Sequence, residues 1–452
     1  MKKQSVLKKT FRLCGILLLW GLLLFPAMVS GQQVQNADSL TYALYQQQQW
    51  DELIRAGTAA IRQGVDHFYM QMRVGIAWYE KQNYRRAIPF FRQARQLNPI
   101  DEAATEYLYY SYLLAGRTAD ARVILSQLTT AHRQQLALQK TPVVDQLYIE
   151  AGPGFGTADN LPNHYQNRQH TDSIYNQSWY YDNLRYYHAG ININVLPQLQ
   201  TYQGISLISA DATQQVNYQQ QPKPDFHHTA IQQEYYGNLQ YAPLPGWKIV
   251  PAWHLTRTNY DIRQFRYDDS EGLISDTLSL TRHDNLFWLA ISKEIGIFSA
   301  ELNGALASSD GSDAWQAGFF VNVYPFGNLK LYTRTGLIAL RDGQEANHLI
   351  FHQSVGTRVL PSLWLDVSAT IGNLRGYTEQ NAFVLFNIPE DARFKTEALL
   401  TWAAGKHLEL SLRYRLMRRT GSYLTYINND EFIVLEKDYN FNTFIGGIKW
   451  QF

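Results

Sequence analysis

Residues 441–452 read FNTFIGGIKWQF, and this closing stretch decides the fold. Large apolar side chains stand at even-numbered positions, namely Phe444, Ile448, Trp450 and Phe452. Small or polar ones stand at odd-numbered positions, namely Thr443, Gly447, Lys449 and Gln451. A period of two separates these sets onto the two faces of a β-strand, whereas an amphipathic helix repeats every ~3.6 residues. A strand with one apolar and one polar face predicts a barrel wall between lipid and a polar lumen.

The same stretch ends on an aromatic residue, Phe452. In this it resembles the closing strand of bacterial outer-membrane β-barrels, whose terminal aromatic is read by the barrel-assembly machinery. The resemblance implies a location in the bacterial outer membrane, contact with outer-membrane lipid, and the assembly machinery as a partner.

The N-terminus has the order of a targeting segment. Basic residues come first, an apolar run follows from Leu13 to Phe25, and the small-residue stretch Ala27 to Gly31 ends it. The apolar run has about 13 residues, whereas a membrane-spanning helix needs roughly 20. We therefore expect residues 1–31 to be a cleaved secretory signal peptide, with an uncleaved anchor as the alternative.

Composition narrows the class of protein. The chain has 452 residues, room for more than one domain, and a formal net charge of only +1, which argues against a nucleic-acid partner. Cys14 is the only cysteine and lies in the predicted signal peptide, so we expect no disulfide or thiolate metal site in the mature chain. The 30 Tyr and 11 Trp suit the aromatic girdles of a barrel.

Residues 32–140 carry a helical repeat pattern. Small and aromatic residues of the middle repeat stand at Val74, Gly75, Trp78, Tyr84, Ala87, Phe91, Ala94 and Pro99. This segment resembles the tetratricopeptide repeat, in which small residues let two antiparallel helices approach closely. A step of 34 residues places Leu53, Ala87 and Ala121 in one phase. We expect three repeats, with the outer two divergent because they cap the stack.

The inner face of such a stack is a candidate groove for a periplasmic protein or peptide. The repeat phase places these residues on it: Tyr42, Tyr45, Tyr69, Met72, Ile76, Tyr79, Glu106 and Tyr110. The alternative is that the tyrosines pack against the barrel or against neighbouring repeats.

From residue 141 onward the period changes to two, and many strands repeat the alternation. In the stretch 407–416, leucines and one tyrosine alternate with His407, Glu409, Ser411, Arg413 and Arg415. Charged residues that recur on one face over many strands favour a polar lumen. The predicted lumen-lining residues are Glu301, Lys330, Arg334, Arg358, Lys395, Glu397, Glu409, Arg413 and Arg415. They could line an aqueous path or neutralise one another and close it.

Turn signals divide residues 141–452 into strands. Short turns with Pro or Gly occur at six places, near residues 197, 245, 296, 326, 361 and 405. Longer polar connections alternate with them: about 157–181, 214–227, 263–276, 308–313, 341–346, 373–391 and 418–438. Seven loops and six turns imply 14 strands, with 12 or 16 as alternatives because residues 381–387 could add a strand, which we interpret as part of an external hairpin. An even count puts both barrel termini in the periplasm.

No stretch carries a recognisable catalytic motif or metal-ligand spacing. A Gly-x-Ser-x-Gly elbow is missing from the sequence. The pairs His227-His228 and His348 with His352 are weak metal candidates, since an i, i+4 pair on a strand lies about 13 Å apart. We expect no enzyme activity, no metal and no cofactor.

The sequence therefore predicts an α + β protein of two domains, a tetratricopeptide-repeat stack over residues 32–140 and an antiparallel transmembrane β-barrel over 141–452. This architecture resembles the YaiO-type family and, more distantly, exopolysaccharide exporters that join repeats to a barrel. It implies passage or export across the outer membrane with a recruited periplasmic partner. The alternative is a membrane-anchored scaffold for an envelope complex, without transport.

Overall fold

The computed structural model describes residues 35–156, 175–219, 221–268, 272–309, 312–341, 347–387, 390–426 and 431–452. The predicted signal peptide lies outside these residues. The chain divides into two compact units, Met1–Gly116 and Arg117–Phe452. Among the described helices, none is both long and apolar enough to cross a bilayer.

The first unit is a stack of helices that pack in chain order. Their bounds are α1 (35–46), α2 (Trp50–Arg62), α3 (Phe68–Glu80), α4 (Tyr84–Leu97) and α5 (Glu102–Leu114). Side chains of Asn83 and Asp101 cap α4 and α5 by accepting hydrogen bonds from backbone N–H groups at 3.2 and 2.7 Å. Gly75 lets α3 approach α4, because a Cβ there would lie 2.7 Å from the Phe91 ring. The helical prediction is confirmed, and the tetratricopeptide character stays an interpretation.

Two further helices, α6 (Thr118–Gln127) and α7 (Thr130–Gln135), belong to the second unit together with the barrel. The Asp120 carboxylate at the start of α6 accepts a hydrogen bond of 3.0 Å from the backbone N–H of Gly246. The same carboxylate forms an ion pair of 2.7 Å with Arg117. Since Gly246 lies in a barrel turn, these contacts hold α6 against that turn.

The remainder of the second unit is a closed antiparallel barrel of 14 strands. The strands are β1 (Val144–Gly156), β2 (Tyr175–Leu196), β3 (Leu199–Tyr218), β4 (Phe226–Tyr241), β5 (Trp247–Asp268), β6 (Gly272–Ile295), β7 (Phe298–Ser309), β8 (Ser312–Val323), β9 (Leu331–Arg341), β10 (Asn347–Leu360), β11 (Leu363–Ile371), β12 (Asp391–Ala403), β13 (Leu408–Tyr426) and β14 (Phe432–Gln451). Strand β1 pairs with β14, with Ile149 opposite Ile448. The predicted count of 14 strands and the order of helices followed by a barrel are confirmed.

Short and long connections alternate around the barrel, which gives it two different rims. We call the end with the six short turns the turn rim and the end with the seven other connections the loop rim. Both barrel termini, Val144 and Gln451, and the α6 contact at Gly246 lie at the turn rim.

Two of the predicted loops, 263–276 and 418–438, are wrong, because their residues continue as paired strands. Pairing in the β5–β6 hairpin runs to Asp268 opposite Gly272, and in the β13–β14 hairpin to Tyr426 opposite Phe432. Polar residues dominate both stretches because, at the loop-rim end, the outer wall no longer faces apolar surroundings. Arg418 and Asp438, for example, form an exposed ion pair of 2.8 Å across the hairpin.

The outer surface of the barrel carries a belt of exposed apolar side chains. It includes Leu147, Ile149, Ile205, Phe287, Leu302, Leu306, Leu349 and Ile448, each at least 40% exposed. Exposed apolar area on this scale, on a closed wall with no free edge, is the surface that an outer-membrane barrel presents to lipid. The prediction from the closing stretch is confirmed, because Phe444, Ile448 and Trp450 of β14 belong to this surface.

Candidate functional site: a closed lumen with a chamber

The β11–β12 connection, residues 372–390, folds into the lumen. We call it the inward segment; residues 388 and 389 lie outside the described part. Leu374, Tyr377 and Ala382 are at most 1% exposed. The interpretation of residues 381–387 as part of an external hairpin is therefore wrong. The physical reason is the run Phe383-Val384-Leu385-Phe386, which would be exposed in an external loop and is covered inside the barrel.

The tip of the inward segment, residues 380–383, is hydrogen-bonded to distant strands. The Tyr236 hydroxyl on β4 donates to the Asn381 carbonyl oxygen at 2.8 Å, and His254 Nδ1 on β5 lies 2.8 Å from the Ala382 carbonyl oxygen. The Phe383 ring meets the His188 ring edge to face, with centroids 4.9 Å apart. These contacts reach strands far from β11 and β12, so the segment crosses the lumen.

Three further contacts fix the body of the segment. The amide of Gln316 on β8 donates to the Thr378 carbonyl oxygen at 3.0 Å and accepts from the Thr378 N–H at 3.1 Å. Asn387 donates to Asp284 on β6 at 2.9 Å. Lys395 Nζ on β12 donates to Glu379 Oε2 at 2.6 Å, inside the lumen. Most of these contacts are hydrogen bonds through side chains, which can be exchanged for water one at a time.

The tip also holds an uncommon backbone conformation. Gln380, Asn381 and Ala382 have φ values of 56°, 58° and 68°, which lie in the left-handed region. Residues with a Cβ rarely adopt it, at a cost on the order of 1 kcal/mol each. The contacts of the tip with Tyr236 and His254 hold this conformation.

Between the inward segment and the loop rim, the lumen contains a chamber of about 570 Å³. Strands β1–β6, β13, β14 and the segment itself contribute to its lining. Aromatic rings are prominent there, among them Trp179, Tyr186, Tyr260, Phe383, Phe386 and Phe441. The barrel is thus closed across its middle and hollow toward the loop rim.

Most of the predicted lumen residues lie on the inner wall in pairs of opposite charge. Arg334 and Glu301 are 2.8 Å apart, Arg415 and Glu397 2.9 Å, and Lys449 and Glu409 2.5 Å. Arg413 lies between Glu397 at 3.5 Å and Glu150 at 3.7 Å. The acids and bases therefore compensate one another within the wall.

Two members of the predicted lumen set lie at the turn rim. Lys330 precedes β9 and is exposed. Arg358 is also exposed, and its Nε donates to the Pro361 carbonyl oxygen at 2.9 Å.

The structure separates the predicted groove residues into two groups. Tyr42 and Tyr69 are exposed by 51% and 65%, whereas Met72 is buried. Tyr79 packs against Tyr107 and Tyr84, with ring centroids 5.2 Å away in both cases, and Tyr45 packs against Trp50. Ile76, Glu106 and Tyr110 are partly buried. Partner binding by this set stays a prediction.

Burial in the helical unit changes the acidity of Tyr79. Desolvation, with the nearby Tyr84 second, raises the pKa of Tyr79 from 10.0 to about 12. The Tyr107 phenol shares this environment, and burial raises its pKa as well. Both rings therefore act as neutral packing groups near pH 7.

The candidate histidines are spread over the wall. His352 Nδ1 lies 3.1 Å from the Thr370 hydroxyl, and His227 Nδ1 lies 2.9 Å from the Thr213 hydroxyl. Among the described residues, no group of three or more His, Cys, Asp or Glu could hold a metal ion.

Sequence reasoning missed the residues that hold the inward segment, namely Tyr236, His254, Gln316, Asp284 and Glu379. One signal could have found the segment itself. The stretch 373–391 was interpreted as a polar external loop, yet it contains four consecutive large apolar residues from Phe383 to Phe386. Such a run predicts a buried connection.

Comparisons with known proteins concern the fold. No protein-family model matches the chain, and no curated protein matches it. The toluene transporter TodX of Pseudomonas putida aligns with a TM-score of 0.45 and 8% identity, over 69% of this chain and 91% of that one. A FadL homologue of Pseudomonas aeruginosa aligns with a TM-score of 0.43 and 7% identity, over 68% and 90%. The MamA D159K mutant aligns with a TM-score of 0.21 and 20% identity, over 24% and 58%.

Proposed function

We propose that the protein is an outer-membrane passage barrel that is closed at rest by the inward segment and opens when that segment withdraws. The turn rim would face the periplasm, and the helical unit would bind a periplasmic protein or peptide. In this proposal the chain is a YaiO-type repeat-plus-barrel protein made with a cleaved signal peptide, and it performs no catalysis.

One observation carries the proposal: the closure is a strand connection, separate from the wall. Covalently it joins the wall only at its two ends; elsewhere it is held by side-chain hydrogen bonds, the Lys395–Glu379 ion pair and apolar packing. A barrel of 14 strands is wider than the small barrels that wall side chains fill. Removal of the segment would therefore leave a continuous path along the lumen.

The alternative is an anchored scaffold with a permanently closed barrel. The paired wall charges favour it, since Glu301 with Arg334 and Glu397 with Arg415 leave little uncompensated charge along a path. Both proposals place the protein in the outer membrane. They differ in whether the inward segment ever leaves the lumen.

Conductance in planar bilayers separates the two. A thiol cross-link between Gln316→Cys and Thr378→Cys would hold the segment inside, since these two residues touch. Replacement of residues 374–387 by a short Gly-Ser linker would remove it. Cys14 is the only native cysteine, so the cross-link is specific to the introduced pair.

We expect brief openings of the unmodified barrel, silence of the cross-linked variant, and long openings of the linker variant. A linker variant that forms intact barrels and yet never conducts would rule out passage and leave the scaffold. The matched control is the Gln316→Cys single variant treated with the same reagent.

A further inference from the structure

Part of the barrel wall continues well beyond the length that a membrane requires. Strands β2, β3, β5, β6, β13 and β14 have 19–24 residues, whereas β7–β12 have 9–14. A transmembrane β-strand needs about 9–11 residues. The long strands pair as the hairpins β2–β3, β5–β6 and β13–β14. Three hairpin ends therefore project past the ends of the short strands at the loop rim.

Two of these hairpins meet across the end of the lumen. At mid-barrel, β1 and β14 stand between β2 and β13. Beyond the end of β1, residues 175–178 of β2 pair directly with residues 423–426 of β13, and we call this pairing the bridge. The other edge of residues 423–426 is paired with β14, so β2 uses the edge of β13 that β12 occupies closer to the turn rim. Because a strand has only two edges for pairing, β2 reaches this one across the lumen and not along the wall.

The bridge lies directly beyond the chamber. Trp179, Tyr180 and Tyr181 follow the bridge on β2 and line the chamber. Ser178 and Thr425 within the bridge are 5% and 3% exposed, so the paired ends do not stand free in water. The chamber thus has the bridge at its loop-side end and the inward segment at its other end.

The β2–β3 side of the bridge is anchored to a third hairpin. The Gln214 amide on β3 donates to the Arg263 carbonyl oxygen on β5 at 2.8 Å and accepts from the Arg263 N–H at 3.2 Å. The neighbouring Gln215 donates to the Tyr180 hydroxyl on β2 at 3.1 Å. Both glutamines are buried, at 1% and 2% exposure. These contacts make the β2–β3 hairpin the fixed side of the bridge.

The join between β2 and β13 is small by comparison. It covers four residues of each strand, whereas β2 pairs with β3 along almost its whole length. The Tyr175 ring lies 6.0 Å from the Tyr426 ring and 6.3 Å from the Phe265 ring, measured between centroids. The backbone groups of Asn176 and Thr425 can exchange their bridge hydrogen bonds for water. The β13–β14 hairpin can therefore part from β2 while both hairpins stay folded.

We propose that the bridge is a second closure of the lumen, which shuts the chamber on the loop side and opens when the β13–β14 hairpin swings away from β2. The chamber is then a compartment between two barriers. The role of the bridge in passage rests on the proposed function, but closure of the chamber can be measured without transport. Withdrawal of the inward segment would leave a path that opens and closes with the bridge.

A thiol inside the chamber reports whether the bridge closes it. Ala210→Cys places one on the chamber face of β3, and the inward segment stays in place. Labelling by a membrane-impermeant maleimide is timed on the full chain in lipid nanodiscs. Replacement of residues 423–435 by Asn-Gly removes the bridge and joins the opposed Ser422 and Glu436 by a two-residue hairpin turn. We expect slow labelling of the full chain and at least tenfold faster labelling without the bridge.

The matched control shortens a different hairpin. Replacement of residues 266–274 by Asn-Gly joins the opposed Phe265 and Ser275 and keeps the contact between Gln214 and Arg263. This variant should label as slowly as the full chain, and unheated gels show that each variant forms an intact barrel. Rapid labelling of the full chain, or equal rates with and without the bridge, would overturn the proposal.

A lock on the bridge tests the same closure without loss of residues. Asn176 and Thr425 stand directly opposite each other, so Asn176→Cys/Thr425→Cys can form a cross-strand disulfide. In the linker variant, which lacks the inward segment, oxidation of this pair should silence conductance and reduction should restore it. Thr425→Cys alone is the control and should conduct equally in both states. Equal conductance of the oxidised and reduced double variant would also overturn the proposal.

The second closure and passage can fail separately. Fast labelling after removal of the bridge, in a protein whose linker variant never conducts, would remove passage and keep the closure. Openings of the linker variant that do not respond to the lock would keep passage and remove the closure.

Discussion

Lys395 on β12 and Glu379 on the inward segment form an ion pair inside the lumen, with Nζ and Oε2 at 2.6 Å and side chains 2% and 8% exposed. The pair joins the moving part of the proposed gate to the fixed wall. Because an isolated buried charge is costly, the pair favours the inserted segment whenever both partners are charged.

Lys395→Met should loosen the inserted segment. The substitution leaves the Glu379 carboxylate without its cation, at a cost of about 3 kcal/mol when one partner of a buried pair is removed. That corresponds to roughly a hundredfold larger open fraction. The measurement is open probability in planar bilayers, together with the rate of proteolysis within the segment.

The double variant Lys395→Met/Glu379→Gln restores neutrality and should return the open probability toward that of the unmodified protein. Lys449→Met is the matched control, because its partner Glu409 lies on the neighbouring strand β13 and not on the segment. If Lys395→Met and Lys449→Met conduct alike, the pair does not hold the gate.

The barrel could be predicted from the sequence because its determinants are local. Alternation along each strand and turn residues at the ends set the wall, so a strand such as β14 could be recognised from 12 residues. The inward segment could not be predicted in this way. Its position depends on Tyr236, His254 and Gln316, which lie between 62 and 145 residues away in sequence from their partners.

The charged lumen residues show the same limit. Alternation predicted that Glu301 and Arg334 face inward, and the structure places them 2.8 Å apart on β7 and β9, across the intervening strand β8. Lys395 meets the inward segment, whereas Arg358 lies exposed at the turn rim. This difference depends on how far along the barrel axis each residue lies. A period of two gives the face of a strand and not the depth.

The contact between α6 and the barrel should protect one backbone amide. The Gly246 N–H donates to the Asp120 carboxylate, so Asp120→Ala should raise hydrogen exchange at Gly246 about tenfold, as the loss of one hydrogen bond of ~1.4 kcal/mol implies. The measurement is hydrogen–deuterium exchange of the 242–250 peptide. Asp120→Asn keeps an acceptor oxygen and should stay close to the unmodified rate. Equal exchange in the two variants would contradict the assignment of the carboxylate as the protecting group.

Closure of the barrel should depend on Gly152 in β1. A Cβ there would lie 1.7 Å from the Phe444 carbonyl oxygen, and a backbone atom cannot move aside as a flexible side chain can. We expect Gly152→Ala to destabilise the β1–β14 seam by about 3 kcal/mol. The measurement is the urea midpoint of barrel unfolding and the fraction of folded barrel on unheated gels. Gly446→Ala is the control, because Gly446 lies in the same seam and a Cβ there would have no atom within 4 Å, so the urea midpoint should not move. Equal losses in both variants would show that the seam does not require Gly152.

The helical unit should lose stability at high pH through Tyr79. Its pKa is about 12 in the folded state against 10.0 without the fold, because burial disfavours the phenolate. The unfolded chain therefore releases this proton between pH 10 and 12 while the folded chain keeps it, and stability present below pH 10 is lost as pH rises to 12. Tyr79→Phe keeps the ring contacts with Tyr107 and removes the ionisable group. Its thermal midpoint should therefore fall less between pH 9 and pH 11.5 than that of the unmodified protein. The measurement is the thermal midpoint of the 222 nm circular dichroism signal at the two pH values. Tyr42→Phe, at an exposed position of the same unit, should follow the unmodified protein; if Tyr79→Phe does so too, the pH-dependent loss has another source.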